Sequence, residues 1–283
     1  MSTNTIKTYV LLAALGGLLV LGGQLIGGSN GAILGLVIGL LFVGGSYWFS
    51  DSIAIKAARA QPVSEQQAPD LYRIMRTLTT TASMPMPRLY MTPDPQPNAF
   101  ATGRNEKRAV VGVTQGLMEL LTEDELRGVL AHELSHVRNK DILIGSVAAA
   151  IAMGITFMAR MAMWGAMFGG VGGRDDRDGG GLGMLFMFLL APLAAFFLQM
   201  AVSRSREFEA DRSAAELAGS GQGLARALEK LHLASRKIPM AVNPAQASMY
   251  IVNPLSGRSV NFASLFMTHP PVEERIARLQ GRP

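Results

Sequence analysis

A chain of 283 residues that is 49% hydrophobic and only 17% charged is too poor in charge for an ordinary soluble domain, where charged residues run near a quarter. It contains no cysteine, which excludes disulfides and thiolate metal ligands. The net charge of +5 suits contact with anionic lipid headgroups, and no nucleic-acid partner is needed to explain it.

In chain order, apolar stretches occupy 9–28, 31–49, 142–159 and 182–202. Each is about the 17 to 25 residues that cross a hydrocarbon core as a helix, and each is predicted to be a transmembrane span. Lys7 flanks the first stretch, but its apolar run is too long for a signal peptide and no A-x-A-like site closes it, so a retained span is expected. Gly23 with Gly27, and Gly31 with Gly35 and Gly39, have the small-xxx-small spacing that lets helices pack closely in lipid. If the spans alternate, Lys7, Lys56, Arg59, Arg138, Lys140, Arg204 and Arg206 share one side and outnumber Arg160 on the other. The positive-inside rule then places both termini and the polar segments in the cytoplasm. The glycine-rich loop 169–181 reads as an exposed tether.

The polar segments 50–141 and 203–283 emerge on the same side and are expected to form one α+β domain. A helix is predicted over 70–80, with Leu71, Ile74, Met75 and Leu78 as its stripe. Short strands follow at 88–91, 98–102 and 109–113, punctuated by Pro93, Pro95, Pro97 and Gly103. The strongest helix signal opens with Thr122 and Glu125 as a capping box and presents Leu126, Val129, Leu130, Leu134 and Val137 on one face. Helices are predicted over 203–218, 221–235 and 272–280 in the second segment.

The capped helix carries His132-Glu133-Leu134-Ser135-His136. Residues four apart share a helix face, so both imidazoles can hold one Zn²⁺. Glu133 points away from ligation and can take a proton from water activated at the ion, then pass it to the leaving amine of a peptide bond. With four histidines in the chain, H-E-x-x-H arises by chance in only about two of a thousand such sequences. Catalytic zinc takes a third protein ligand and keeps a position open. His232 sits amid charged residues and His269 precedes two prolines, so a carboxylate is indicated. Glu207 is the expected ligand, and Asp211, one turn on, the expected acceptor from a ligating imidazole. Glu209 reads as a solvated helix face. Asp141 reads as the N-cap of the third span.

These pieces together resemble the HtpX family of bacterial membrane zinc endopeptidases, relatives of the CaaX prenyl proteases within the gluzincin group. The resemblance rests on HELSH at 132–136, SRSREFEADRSAAELA at 203–218, PNAFATG at 97–103 and THPPVEERIARL at 268–279, and it extends over nearly the whole chain. It implies an α-helical protein of the bacterial inner membrane, with four spans and a cytoplasmic zincin-like peptidase domain. One zinc per chain would be held by His132, His136 and Glu207, with Asp211 in support. It implies polypeptide substrates, and a quality-control role on misfolded or damaged membrane proteins. It also makes Asn98, Ala99, Phe100, Ala101 and Thr102 a candidate edge strand for substrate pairing, and His269 a candidate oxyanion stabiliser. The alternatives are a narrow-range processing peptidase and a silent scaffold that keeps zinc for structure. The sequence leaves the oligomeric state open.

Overall fold

A computed structural model describes residues 3–143, 204–237 and 270–281. Helix α1 (Thr3–Trp48) and the short α2 (Ser50–Ala57) lead into the polar domain, where β1 (Gln61–Pro62), α3 (Pro69–Ala82) and β2 (Arg88–Thr92) follow. Next come β3 (Ala99–Thr102), β4 (Val110–Thr114), α4 (Gln115–Leu120) and α5 (Glu123–Arg138). Beyond residue 203 lie α6 (Arg204–Ala218), α7 (Gln222–Lys237) and α8 (Val272–Leu279).

The stretch 9–28 falls on α1, as does 31–49 except for Phe49, the N-cap of α2. Gly28 lies inside α1 at φ +59°, a left-handed conformation that glycine alone adopts freely and that redirects a right-handed helix. Among the described residues no helix is long and apolar enough to cross a membrane, and many apolar side chains of α1 fall outside that description. The stretches 142–159 and 182–202 lie outside it, apart from Ile142 and Leu143.

The sheet has the order β1-β2-β4-β3. Strand β4 is one of its two inner strands, buried at all five positions, as its valine-rich composition favours. It pairs in parallel with β2 and antiparallel with β3, which leaves β3 at an edge. Glycine is required at position 112 because a Cβ there would strike the Phe100 ring on β3. The expected strands are present within a residue or two, whereas β1, α2 and α4 are additions too short for a periodic signal.

Helix α5 runs through the middle of the core. Its capping box forms, Glu125 Oε2 accepting from the Thr122 N–H at 2.9 Å. Leu126, Val129, Leu130, Leu134 and Val137 are all buried in one cluster with α3, α6 and α7. The crossing with α7 is very close, since a Cβ at Gly128 would collide with the Leu224 backbone and one at Gly223 with the Asp124 carbonyl. Glu125, 3% exposed, also receives Lys230 Nζ of α7 at 2.7 Å. These contacts lock α5 against the helix that follows α6.

Candidate metal centre

Helix α5 presents buried His132 and, in its last turn, half-buried His136, while the first turns of α6 present Glu207 and Asp211. His132 Nε2 and His136 Nε2 are 3.1 Å apart. Glu207 reaches both, with Oε2 3.7 Å from the first and Oε1 3.7 Å from the second. Glu207 is 5% exposed and His132 1% exposed, so two of the three converging lone-pair donors are sealed from water and the half-buried His136 forms the more open side.

The other nitrogen of each ring faces a carboxylate. His132 Nδ1 lies 3.0 Å from Asp211 Oδ1, although the approach falls short of a well-directed hydrogen bond. His136 Nδ1 lies 3.0 Å from Asp141 Oδ2. Carboxylates behind the Nδ1 atoms turn the Nε2 atoms toward a shared point, the usual arrangement around a histidine-bound metal. Burial alone would raise the Asp211 pKa, but Arg275 holds it down to about 2, assisted by His132. Burial would likewise depress His136, yet the charges of Asp141, Glu207 and Glu133 raise it to about 10.

Arg275 of α8 is 0% exposed. It donates to Asp211 through Nε at 2.8 Å and Nη2 at 2.7 Å, and its Nη1 lies 3.8 Å from Glu207 Oε2. Glu133 is buried, and its charge acts on both His136 and Arg275.

The structure thus brings together the five residues His132, Glu133, His136, Glu207 and Asp211. Glu209 is solvated, paired with Arg212. Asn98 is buried, its N–H donating to Thr114 Oγ1 at 2.8 Å, and Ala99 to Thr102 form the edge strand β3. His269 lies outside the described residues. Two residues were missed. Asp141, expected as a helix cap, faces His136. Arg275 could have been found from its place between Val272 and Ile276 on the apolar face of α8, where a charge requires a partner.

The donor set fits zinc. Tetrahedral ligands at about 2.0 to 2.1 Å from the ion stand about 3.4 Å apart, between the 3.1 and 3.7 Å found. All three sides are nitrogen or oxygen, and the spacing leaves room for a fourth position. A buried helix offering H-E-x-x-H to a carboxylate from a neighbouring helix defines a metallopeptidase of the zincin type, and zinc is its cofactor.

The lineage follows from comparison with known proteins. The pattern of peptidase family M48 matches residues 65–283, and the chain belongs to that family. A protease HtpX homolog of Syntrophobacter fumaroxidans is 53% identical over 278 residues, covering 97% of this chain and 98% of that protein. One from Pelotomaculum thermopropionicum is 53% identical over 281 residues, covering 98% and 99%. The crystal structure of Ste24p from S. mikatae has a similar fold, with a TM-score of 0.50 at 22% identity. It matches 98% of this chain, which spans 65% of that longer one.

Proposed function

We propose that this peptidase is a four-span endopeptidase of the bacterial inner membrane that cuts membrane proteins, misfolded or damaged ones above all, next to the cytoplasmic bilayer face. The observation that carries the chemistry is the buried convergence of His132 Nε2, His136 Nε2 and Glu207 on one point. In this reading those three are the zinc ligands and Glu133 is the general base. Zinc, when bound, supplies Lewis-acid polarisation of the scissile carbonyl and lowers the pKa of water toward 7. Glu133 removes the proton from the attacking water and returns it to the leaving amine. Edge strand β3 can accept an extended substrate by backbone pairing.

Membrane insertion is supported by α1. Ile33, Leu34, Leu36, Val37, Ile38, Leu40 and Leu41 are all exposed, whereas Gly35 and Gly39 are buried. A helix that is apolar all round suits lipid, and its glycine face suits close packing against another helix. His136 precedes Ile142, the expected start of the third span, by six residues, and Glu207 follows Val202, the expected end of the fourth, by five. Helix α5 ends at Arg138 and the chain turns through Lys140 at φ +59°, so six residues at no more than about 3.6 Å each keep His136 within roughly 20 Å of Ile142. Glu207 lies within roughly 10 Å of Val202 if α6 continues the fourth span at about 1.5 Å per residue. Basic residues flanking the expected spans support a cytoplasmic side for these span ends.

The test is to map cleavage sites in a model membrane substrate by mass spectrometry, then displace the scissile segment from the bilayer with a flexible linker. Juxtamembrane cleavage that falls as the segment moves away is expected. Cleavage confined to mid-span bonds rules the reading out.

A further inference from the structure

The two imidazoles of the centre are not backed alike. Behind His132, Asp211 Oδ1 stands 3.0 Å from Nδ1, short of a well-directed hydrogen bond, but Asp211 itself is gripped by the two-pronged Arg275. Behind His136 it stops one link short. Asp141 Oδ2 faces His136 Nδ1 at 3.0 Å, but Asp141 Oδ1 is buried without a hydrogen-bond partner. Arg206 Nη1 is also buried and without one.

Both orphan atoms belong to one junction. Asp141 lies just past α5, its N–H donating to the His136 carbonyl at 3.2 Å. Arg206 is in the first turn of α6, next to Glu207, whose Oε1 is 3.7 Å from His136 Nε2. Burial lowers the Arg206 pKa, and Asp141 and Glu207 are the two acids whose charges oppose that. An unpaired guanidinium nitrogen and an unpaired carboxylate oxygen are both costly to bury, and each is what the other lacks.

We propose that Asp141 is a positioning residue for His136 and that Arg206 pairs with its second oxygen in the zinc-loaded centre, so that each ligating imidazole is backed by a carboxylate and each carboxylate by an arginine. The inference rests on His136 being a zinc ligand. Its consequence is a division of labour. The His132 limb is sealed and already has its arginine, whereas the His136 ring, 18% exposed, sits on the limb that gains its arginine as metal arrives.

Asp141 also stands immediately before the helical residues Ile142 and Leu143, so capping is the competing explanation. Asp141→Ser separates the two, because serine caps a helix as well as aspartate but carries no anion for His136. Asp141→Asn serves as a second variant close to the native shape. The full chain in detergent is titrated with zinc against a competing chelator, and the visible bands of the cobalt-substituted protein are recorded. The expected result is zinc affinity about 10- to 100-fold weaker in both variants, with shifted cobalt bands and a metal-free protein that remains folded by circular dichroism. Arg206→Met should weaken zinc in the same direction, Arg206→Lys should recover most of it, and Arg206→Met should add nothing on top of Asp141→Ser. Wild-type affinity and cobalt bands in the aspartate variants overturn the proposal, as do Arg206 and Asp141 effects that simply multiply. His136→Ala, run alongside, must lose zinc. If it does not, the ligand assignment itself is at fault.

Discussion

Arg275 and Asp211 meet through two hydrogen bonds, Nε to Oδ2 at 2.8 Å and Nη2 to Oδ1 at 2.7 Å, across 64 residues of sequence. The pair joins the last described helix to the helix carrying Glu207, and it does so within 3.4 Å of His132 Nε2. Arg275→Ala would leave Asp211 buried without its main counter-charge, a loss of about 3 to 5 kcal/mol for a broken buried pair. A lower melting temperature and weaker zinc binding are both expected. Arg275→Lys should restore little, since an ammonium cannot match the planar two-pronged contact. Thermal unfolding with and without zinc checks this, and a wild-type melting curve for Arg275→Ala would contradict it.

Glu133→Gln should abolish proteolysis while leaving about one zinc per chain, because a proton acceptor is removed and no ligand is. Glu207→Gln should lose metal together with activity. Metal analysis beside a casein-cleavage assay separates the two outcomes. Tight zinc and full activity in Glu207→Gln would remove that residue from the ligand set.

Gly128 marks the close crossing of α5 and α7. Adding one methyl group there forces it into the Leu224 backbone, which has no flexible end to yield. Gly128→Ala should destabilise the domain by about 1 to 3 kcal/mol and weaken zinc as α5 shifts. Gly17→Ala meets nothing within 4 Å and should leave zinc affinity unchanged. Chelator titration of the two variants distinguishes them.

Glu125 provides a pH dependence remote from the metal. Burial would raise its pKa, but Lys230 and the Thr122 amide and hydroxyl outweigh burial and hold it below the ordinary glutamate value. A carboxylate depressed by folding adds stability above its unfolded pKa, and that stability is lost as pH falls through the folded value. Glu125→Gln keeps the capping box but loses the charge. The variant should therefore melt below wild type at neutral pH, and the gap should close as pH drops below about 4.5. A gap that stays constant down to pH 3 would show that the charge is not the cause.

Much of this arrangement was legible in local pattern. Thr122 and Glu125 announced the start of α5, and the four-residue interval between His132 and His136 set both rings on one face before any tertiary contact was known. Glu207 and Asp211 repeat that interval on α6. Periodicity and capping depend on neighbours within about one helical turn, which is why these features could be read in one dimension. Asp141 just ahead of a helix gives only the cap signal in local pattern, because its approach to His136 is a contact that no spacing rule reports.

The sequence by itself determined the chemical vocabulary: an apolar chain without cysteine, a capped H-E-x-x-H helix and an acidic partner helix. Only the tertiary structure decided which groups meet. It brought Glu207 to within 3.7 Å of both imidazoles, chose Arg275 among the arginines of α8 to be buried against Asp211, and turned Asp141 toward His136. Such choices follow from packing helices distant in sequence at the separation that Gly128 and Gly223 permit, together with the need of every buried charge for a partner. No spacing rule along a single chain encodes either condition.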